Sequence, residues 1–156
     1  RGLGDVYKRQ KKYNAGLFLM HKRGTPKEMQ KKLNPRANMV KEFDKFIEKR
    51  LKILDKMKFN LKKVWFDPGI GFGKTLNQNL QLMRSLSKYS HKNLQILLGS
   101  SRKSWINFID PSNADQRIGG SLASITHALQ QNVNTFRIHD VQETNQMIKV
   151  LKALNK

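Results

Sequence analysis

Trp65-Phe66-Asp67-Pro68-Gly69-Ile70-Gly71-Phe72-Gly73-Lys74-Thr75 leaves an apolar strand at a carboxylate, meets a proline, and then passes three glycines within five residues. Proline biases the residue before it towards extended backbone, which aims Asp67. The glycines can take positive φ and let the main chain approach a ligand closely. A phosphate-cradling P-loop would need a glycine five residues before Gly73, where Pro68 stands. A dinucleotide fingerprint needs G-x-G-x-x-G, whereas the spacing here is G-x-G-x-G. The segment therefore reads as a binding loop of another kind, with a tight turn and a capping aspartate ahead of a helix as the plain alternative.

Outward from this loop, residues 63–66 read as the strand that feeds it, and residues 76–89 as an amphipathic helix that follows. Upstream, the continuous apolar run 15–20 predicts a strand buried on both faces, ending in the loop 21–26. Residues 38–57 carry apolar side chains at near-helical spacing opposite a charged face. Downstream, Asn93 opens a strand over 94–98 that ends in the loop 99–103. A loop through 110–113 then leads to a helix over 120–131, a strand over 135–139 and a final helix over 141–154. Residues 1–10 show no helical or strand period and do not begin with methionine. Residues 1–14 are read as a foreign or ragged segment, and 15–156 as the body of the domain.

Four βα units with short connections imply parallel strands and right-handed crossovers. An open doubly wound sheet and part of a (βα)8 barrel both satisfy that pattern. His21, Asp67, Lys103 and His139 each fall at the carboxyl end of a different predicted strand, where barrels place their active sites. The expected fold class is therefore α/β, a partial (βα)8 TIM barrel of four C-terminal βα units. A whole barrel takes roughly 250 residues, so this chain of 156 reads as the C-terminal half of something larger.

Composition narrows the function further. The absence of cysteine excludes disulfides and thiolate metal sites. No run approaches the roughly 18 apolar residues of a membrane span, and the expectation is a soluble, cytoplasmic protein. Lysine and arginine number 31 against 11 acidic residues, a formal charge of +20 that invites polyanions. The basic residues are nevertheless spread over loops and helix faces without interleaved aromatics, so nucleic acid is not the expected partner.

Arg137 and His139, two apart on the last strand, project to the same face and suit a phosphate or diphosphate. An Arg137 paired with Asp140 or Glu143 is the competing reading. Ser100-Ser101-Arg102-Lys103 adds hydroxyls and two cations at the neighbouring strand end. Asp67 would be the anion in a cationic mouth, held ionised by Lys103 and able to accept two parallel N–H bonds from a guanidine-like edge such as that of a pterin. His21 and His139 lack a third ligand at metal-binding spacing.

Taken together, Met20-His21-Lys22-Arg23-Gly24-Thr25-Pro26, Asp67-Pro68-Gly69-Ile70-Gly71-Phe72-Gly73-Lys74 with Asn79, and Gly99-Ser100-Ser101-Arg102-Lys103 resemble the dihydropteroate synthases. Arg117 with Gly120-Ser121-Leu122-Ala123, and Arg137-Ile138-His139-Asp140 with Glu143-Thr144, continue the likeness to the end of the chain. The resemblance implies a transferase of folate biosynthesis that joins 6-hydroxymethyl-7,8-dihydropterin diphosphate to 4-aminobenzoate and releases diphosphate. It implies catalytic roles for Asp67 and Lys103, and a pterin site of Asp67, Lys103, Met20 and Phe72. Phe72, Ser101, Arg102 and Lys103 would meet the aminobenzoate, and Arg137 with His139 the diphosphate. A magnesium ion is implied, with its ligand in the absent N-terminal half, and a homodimer is admissible for the intact protein. Lys22, Gln78 and Gln116 depart from the family pattern at peripheral positions. The half alone is expected to be inactive. Pterin-binding methyltransferases share this fold, but Ser101-Arg102-Lys103 and Arg137-x-His139 favour diphosphate displacement.

Overall fold

Four short apolar segments alternate with helices, and in the computed structural model they pair in chain order as one parallel sheet, β1-β2-β3-β4. The structure describes residues 3–25, 27–29, 31, 33–90, 92 and 94–155. The expectations placed on Arg1, Gly2, Pro26 and Asn93 lie outside these. The strands are β1 (Leu17–Met20), β2 (Val64–Asp67), β3 (Gln95–Leu98) and β4 (Thr135–Phe136). The helices are α1 (Leu3–Lys12), α2 (Met39–Lys56), α3 (Leu76–Arg84), α4 (Ser87–Ser90), α5 (Ser104–Asn107), α6 (Ile118–Gln130) and α7 (Val141–Leu154). Among the described residues no helix is long and apolar enough to cross a membrane.

Side chains alternate across a strand, and here the two faces have different fates. Leu17, Leu19, Val64, Phe66, Ile96 and Leu98 are each 6% exposed or less. They pack with α2 residues Met39, Phe43, Ile47 and Leu54 in the hydrophobic core. Burying a side chain of that size contributes roughly 1.5–3 kcal/mol, so this face carries the fold. On the opposite face Phe18 and Met20 stay exposed, and the Phe18 ring leans on Trp65 at 5.1 Å. That second face lies opposite α2, and among the described residues β1 and β4 stand at the two edges of the sheet.

Register fixes where the chemistry falls. Met20 pairs with Asp67, and Leu98 with Phe136, so the carboxyl ends of all four strands lie side by side. Thr75 and Gln78 close a capping box at the start of α3, satisfying two backbone donors of the first turn. The same Gln78 amide reaches the carbonyls of Asn34 and Ala37, tying the approach to α2 onto the binding loop.

Four sequence expectations need correction. The run 15–20 does not give a strand buried on both faces: only Leu17 and Leu19 pack into the core, while Phe18 is 58% and Met20 37% exposed on the other face. Residues 3–12 form a helix, with the Tyr7 side chain fully buried, where no period was expected. The helix over 76–89 is broken into α3 and α4, because Ser85 caps α3 and turns its hydroxyl back to the Gln81 carbonyl. The strand over 135–139 keeps ladder geometry only to Phe136, although the Arg137 N–H still donates to the Leu98 carbonyl at 3.0 Å.

Candidate active site

The loop after β2 is built from contacts that only glycine admits. Gly69 has φ +65°, and a Cβ placed on it would lie 2.0 Å from the His21 carbonyl oxygen. Gly73 has φ +69°, with the Arg23 carbonyl 2.5 Å from a Cβ there. Close approach lets the loop fold back over the end of β1. The Gly69 N–H donates to Asp67 Oδ1 at 2.7 Å, and the Gly71 N–H to Asn79 Oδ1 at 2.8 Å. Asp67 is thereby oriented by the loop it opens.

Lys74 is the residue that residue-type reasoning missed. It is 3% exposed, and its ammonium donates to the carbonyls of His21 at 3.1 Å, Gly69 at 2.9 Å and Phe72 at 3.0 Å. Three donors on a flexible stem meet three acceptors. A lysine directly after the last glycine of an apolar loop was the available signal. In a P-loop such a lysine would reach out to phosphate; here it turns inward and ties the loop to β1.

Lys103, from the loop after β3, donates to the Ile70 carbonyl at 2.6 Å and lies 4.4 Å from the centre of the Phe72 ring. A Cβ on Gly99 would sit 3.8 Å from Arg137 Cβ and 3.9 Å from Lys103 Nζ, so these two cations flank the same glycine. Burial pushes the Asp67 carboxyl above its ordinary value, against the pull of the Gly69 N–H and the charges of Lys103, Lys74 and Arg137. Lys103 does favour the ionised carboxylate, but desolvation is the larger influence on its pKa. Burial also lowers both ammonium groups to about 8, with Asp67 opposing the shift in each case.

At the ends of β3 and β4 two consecutive residues face two consecutive residues. Ser101 Oγ meets His139 at both its backbone N–H and its Nδ1, at 3.4 and 3.1 Å. The Arg102 guanidinium grips Asp140 through both carboxylate oxygens, holding that carboxyl below its ordinary value. Arg117 in turn donates to the Arg102 carbonyl at 2.9 Å. Asp140 is therefore taken by Arg102, and Arg137 remains exposed at the mouth with His139. Of the residues singled out from sequence, Met20, Asp67, Phe72, Ser101, Lys103, Arg137 and His139 lie at or beside the strand ends, while the Arg102 side chain is engaged with Asp140.

His21 does not join them. By alternation it follows Leu17 and Leu19 onto the helix-facing side, where its ring packs against Phe43 at 5.9 Å and Phe46 at 5.5 Å. Burial first, then Lys74 and Arg23, lower its pKa to about 4 from 6.5. In the native state the ring is neutral through a window where the unfolded chain binds a proton. Its contribution to stability is complete above pH 6.5 and lost as pH falls to about 4. The raised pKa of Asp67 acts in the opposite sense from 3.8 upwards. His21→Phe isolates the histidine: on going from pH 7 to 4.5 its urea stability should rise relative to the parent, by at most about 3 kcal/mol. A pH-independent difference between the two proteins would refute this.

A sequence model of the family described as pterin binding enzyme matches residues 4–139. The chain belongs to that family. Its relatives include the dihydropteroate synthase of Escherichia coli K12, 35% identical over 136 residues that cover 86% of this chain and 48% of the relative. The bifunctional dihydropteroate synthase/dihydropteroate reductase of Helicobacter pylori is 34% identical over 146 residues, covering 94% of this chain and 38% of the relative. Among solved structures, the Yersinia pestis dihydropteroate synthase with a sulfonamide drug superposes with a TM-score of 0.88 at 31% identity, covering 96% of this chain and 54% of that one. The Thermus thermophilus enzyme in complex with 6HMPPP gives a TM-score of 0.86 at 28% identity, covering 98% and 61%. The match is to the C-terminal portion of dihydropteroate synthase, and the four βα units are part of its TIM barrel. The chain spans about half the length of the relatives it matches, between 38% and 48% for the two named.

Proposed function

We propose that this chain forms the C-terminal half of a dihydropteroate synthase active site, joining 6-hydroxymethyl-7,8-dihydropterin diphosphate to 4-aminobenzoate with release of diphosphate. The observation that carries the reading is Asp67, 8% exposed and set among the charges of Lys74, Lys103 and Arg137 at the common end of the strands. The Xanthomonas albilineans dihydropteroate synthase, solved with 4-aminobenzoic acid, superposes with a TM-score of 0.83 at 26% identity, covering 96% of this chain and 53% of that one.

In this reading Asp67 accepts the amino and ring N–H of the pterin, with Met20 beside it in register. Lys103 leaves the Ile70 carbonyl to lie along the pterin, and Phe72 and Ser101 border the aminobenzoate. Arg102 serves that side through its backbone and its clasp on Asp140. The methylene C–O bond breaks and its electron pair departs with the diphosphate, towards Arg137 and His139. Fixed positive charge where negative charge develops lowers that barrier. The aminobenzoate nitrogen lone pair then forms the C–N bond, and the nitrogen loses a proton to solvent. Among the described residues no group of three or more His, Cys, Asp or Glu side chains could hold a metal. Magnesium is commonly held by one or two carboxylates together with waters and substrate phosphates, and we place the protein ligand that the resemblance implies outside the chain.

Calorimetric titration of the chain with a dihydropterin diphosphate analogue, and with the same pterin lacking diphosphate, tests the reading through Arg137→Ala. Loss of a charge-assisted fork to phosphate should weaken the first ligand roughly tenfold or more and leave the second unchanged. Equal binding of the diphosphate ligand by parent and variant would overturn the assignment.

A further inference from the structure

We propose that Ser101 is a positioning residue for His139, holding its imidazole in the tautomer that carries the proton on Nε2. The functional meaning rests on the diphosphate reading above, whereas the geometry stands without it.

A serine hydroxyl has one proton and two lone pairs. The His139 backbone N–H donates into Ser101 Oγ at 3.4 Å, which occupies one lone pair. His139 Nδ1 lies 3.1 Å from the same oxygen. Ser101 is 3% exposed, so water has little access, and among the described residues its hydroxyl has no acceptor other than that Nδ1. If Nδ1 carried the proton and donated, the buried hydroxyl proton would have no partner, an arrangement folded proteins avoid. The hydroxyl therefore donates to Nδ1, and the ring proton resides on Nε2. The residue after each member of this pair repeats the contact, since Arg102 clasps Asp140 and keeps the two loops in step.

The consequence lies at the mouth. His139 is exposed at the strand end it shares with Arg137, so its Nε2–H is free to donate to an anionic oxygen. The other tautomer would present a lone pair to that oxygen and repel it. Ser101 thereby decides whether His139 helps or hinders a departing diphosphate, without touching it.

The tautomer can be read directly from long-range 1H–15N correlation spectra of the labelled chain at pH 8, with His127 on α6 as an internal reference. The parent should show a bare Nδ1 and a protonated Nε2 on His139. Ser101→Ala should disperse this into a mixture, and Ser101→Thr, which keeps the hydroxyl, should restore it. Titration with inorganic diphosphate should show Ser101→Ala roughly fivefold weaker than the parent, and no further loss when it is added to His139→Ala. A parent with the proton on Nδ1, or a spectrum that Ser101→Ala leaves unmoved while His127 reports a folded chain, overturns the inference. The expected tautomer in a chain that does not bind diphosphate would support the role of Ser101 and count against the diphosphate reading instead.

Discussion

Asp67→Asn will bind a dihydropterin diphosphate analogue at least about a hundredfold more weakly than the parent, equivalent to roughly 3 kcal/mol. The substitution is nearly isosteric, and its carbonyl oxygen can still accept the Gly69 N–H. What changes is the second oxygen, replaced by an amide that points its own protons at the donors of the pterin edge. The variant also removes a carboxylate that interacts with Lys74, Lys103 and Arg137, so three cations lose a counter-charge. Acidification gives an independent check. Because burial raises the Asp67 pKa, pterin affinity of the parent should begin to fall at a higher pH than an ordinary carboxylate of 3.8 would allow. The asparagine variant should show no such titration. Calorimetry across pH reads both effects, and an asparagine variant within threefold of the parent would remove Asp67 from the proposed site.

Gly69→Ala is the most damaging single methyl available in the loop. The added Cβ would sit 2.0 Å from the His21 carbonyl oxygen and 3.3 Å from Met20 Cγ, at a backbone φ of +65°. Left-handed backbone alone costs an alanine roughly 1–2 kcal/mol. The overlap cannot be relieved by a side-chain rotation, since the obstacle is main chain. That main chain is also held in place, with Lys74 bonding the carbonyls of both His21 and Gly69. The loop and the end of β1 must part, which breaks the lysine clamp as well. We expect a loss of about 4 kcal/mol or more, seen as a drop of about 10 °C in Tm. Gly71→Ala is the control: φ is +82°, but the nearest atom is the Lys103 side chain at 3.4 Å, which can yield. A Gly69→Ala protein melting within 2 °C of the parent would show that the close approach is dispensable.

The order of strands and helices was readable because it depends on local periodicity, which residues 39–56 and 95–98 display plainly. The convergence of Asp67, Lys103, Arg137 and His139 followed from one topological fact, that parallel strands end on one side. What escaped was pairing at a distance. Nothing near Lys74 in sequence announces that its acceptors include the carbonyl of His21, 53 residues away. Nor does Arg102 declare Asp140 as its partner rather than a ligand. His21 is a different case, since counting by twos from Leu17 would have placed it with the core. The upward shift of the Asp67 pKa was not legible, because a neighbouring charge is visible in a motif while the depth of burial is not. Helix α1 stayed hidden because Tyr7 is its one fully buried described side chain, Val6 is exposed, and residues 8–12 are all polar or charged.

The pairing of Ser101 and Arg102 with His139 and Asp140 spans 38 residues of chain, and that of Met20 with Asp67 crosses all of α2. No contiguous segment therefore contains the whole site. Long-range parallel pairing is slow to form, because the closure entropy of each loop must be met before the contacts compensate it. The core face and the strand ends depend on the same register, because Leu17, Leu19, Val64 and Phe66 of the core lie on the strands that carry the site. A one-residue slip between neighbouring strands would send inward-facing side chains to the helix side. Competence to bind thus requires correct register across the whole sheet, and the site itself becomes a stringent reporter of whether the sheet has paired correctly.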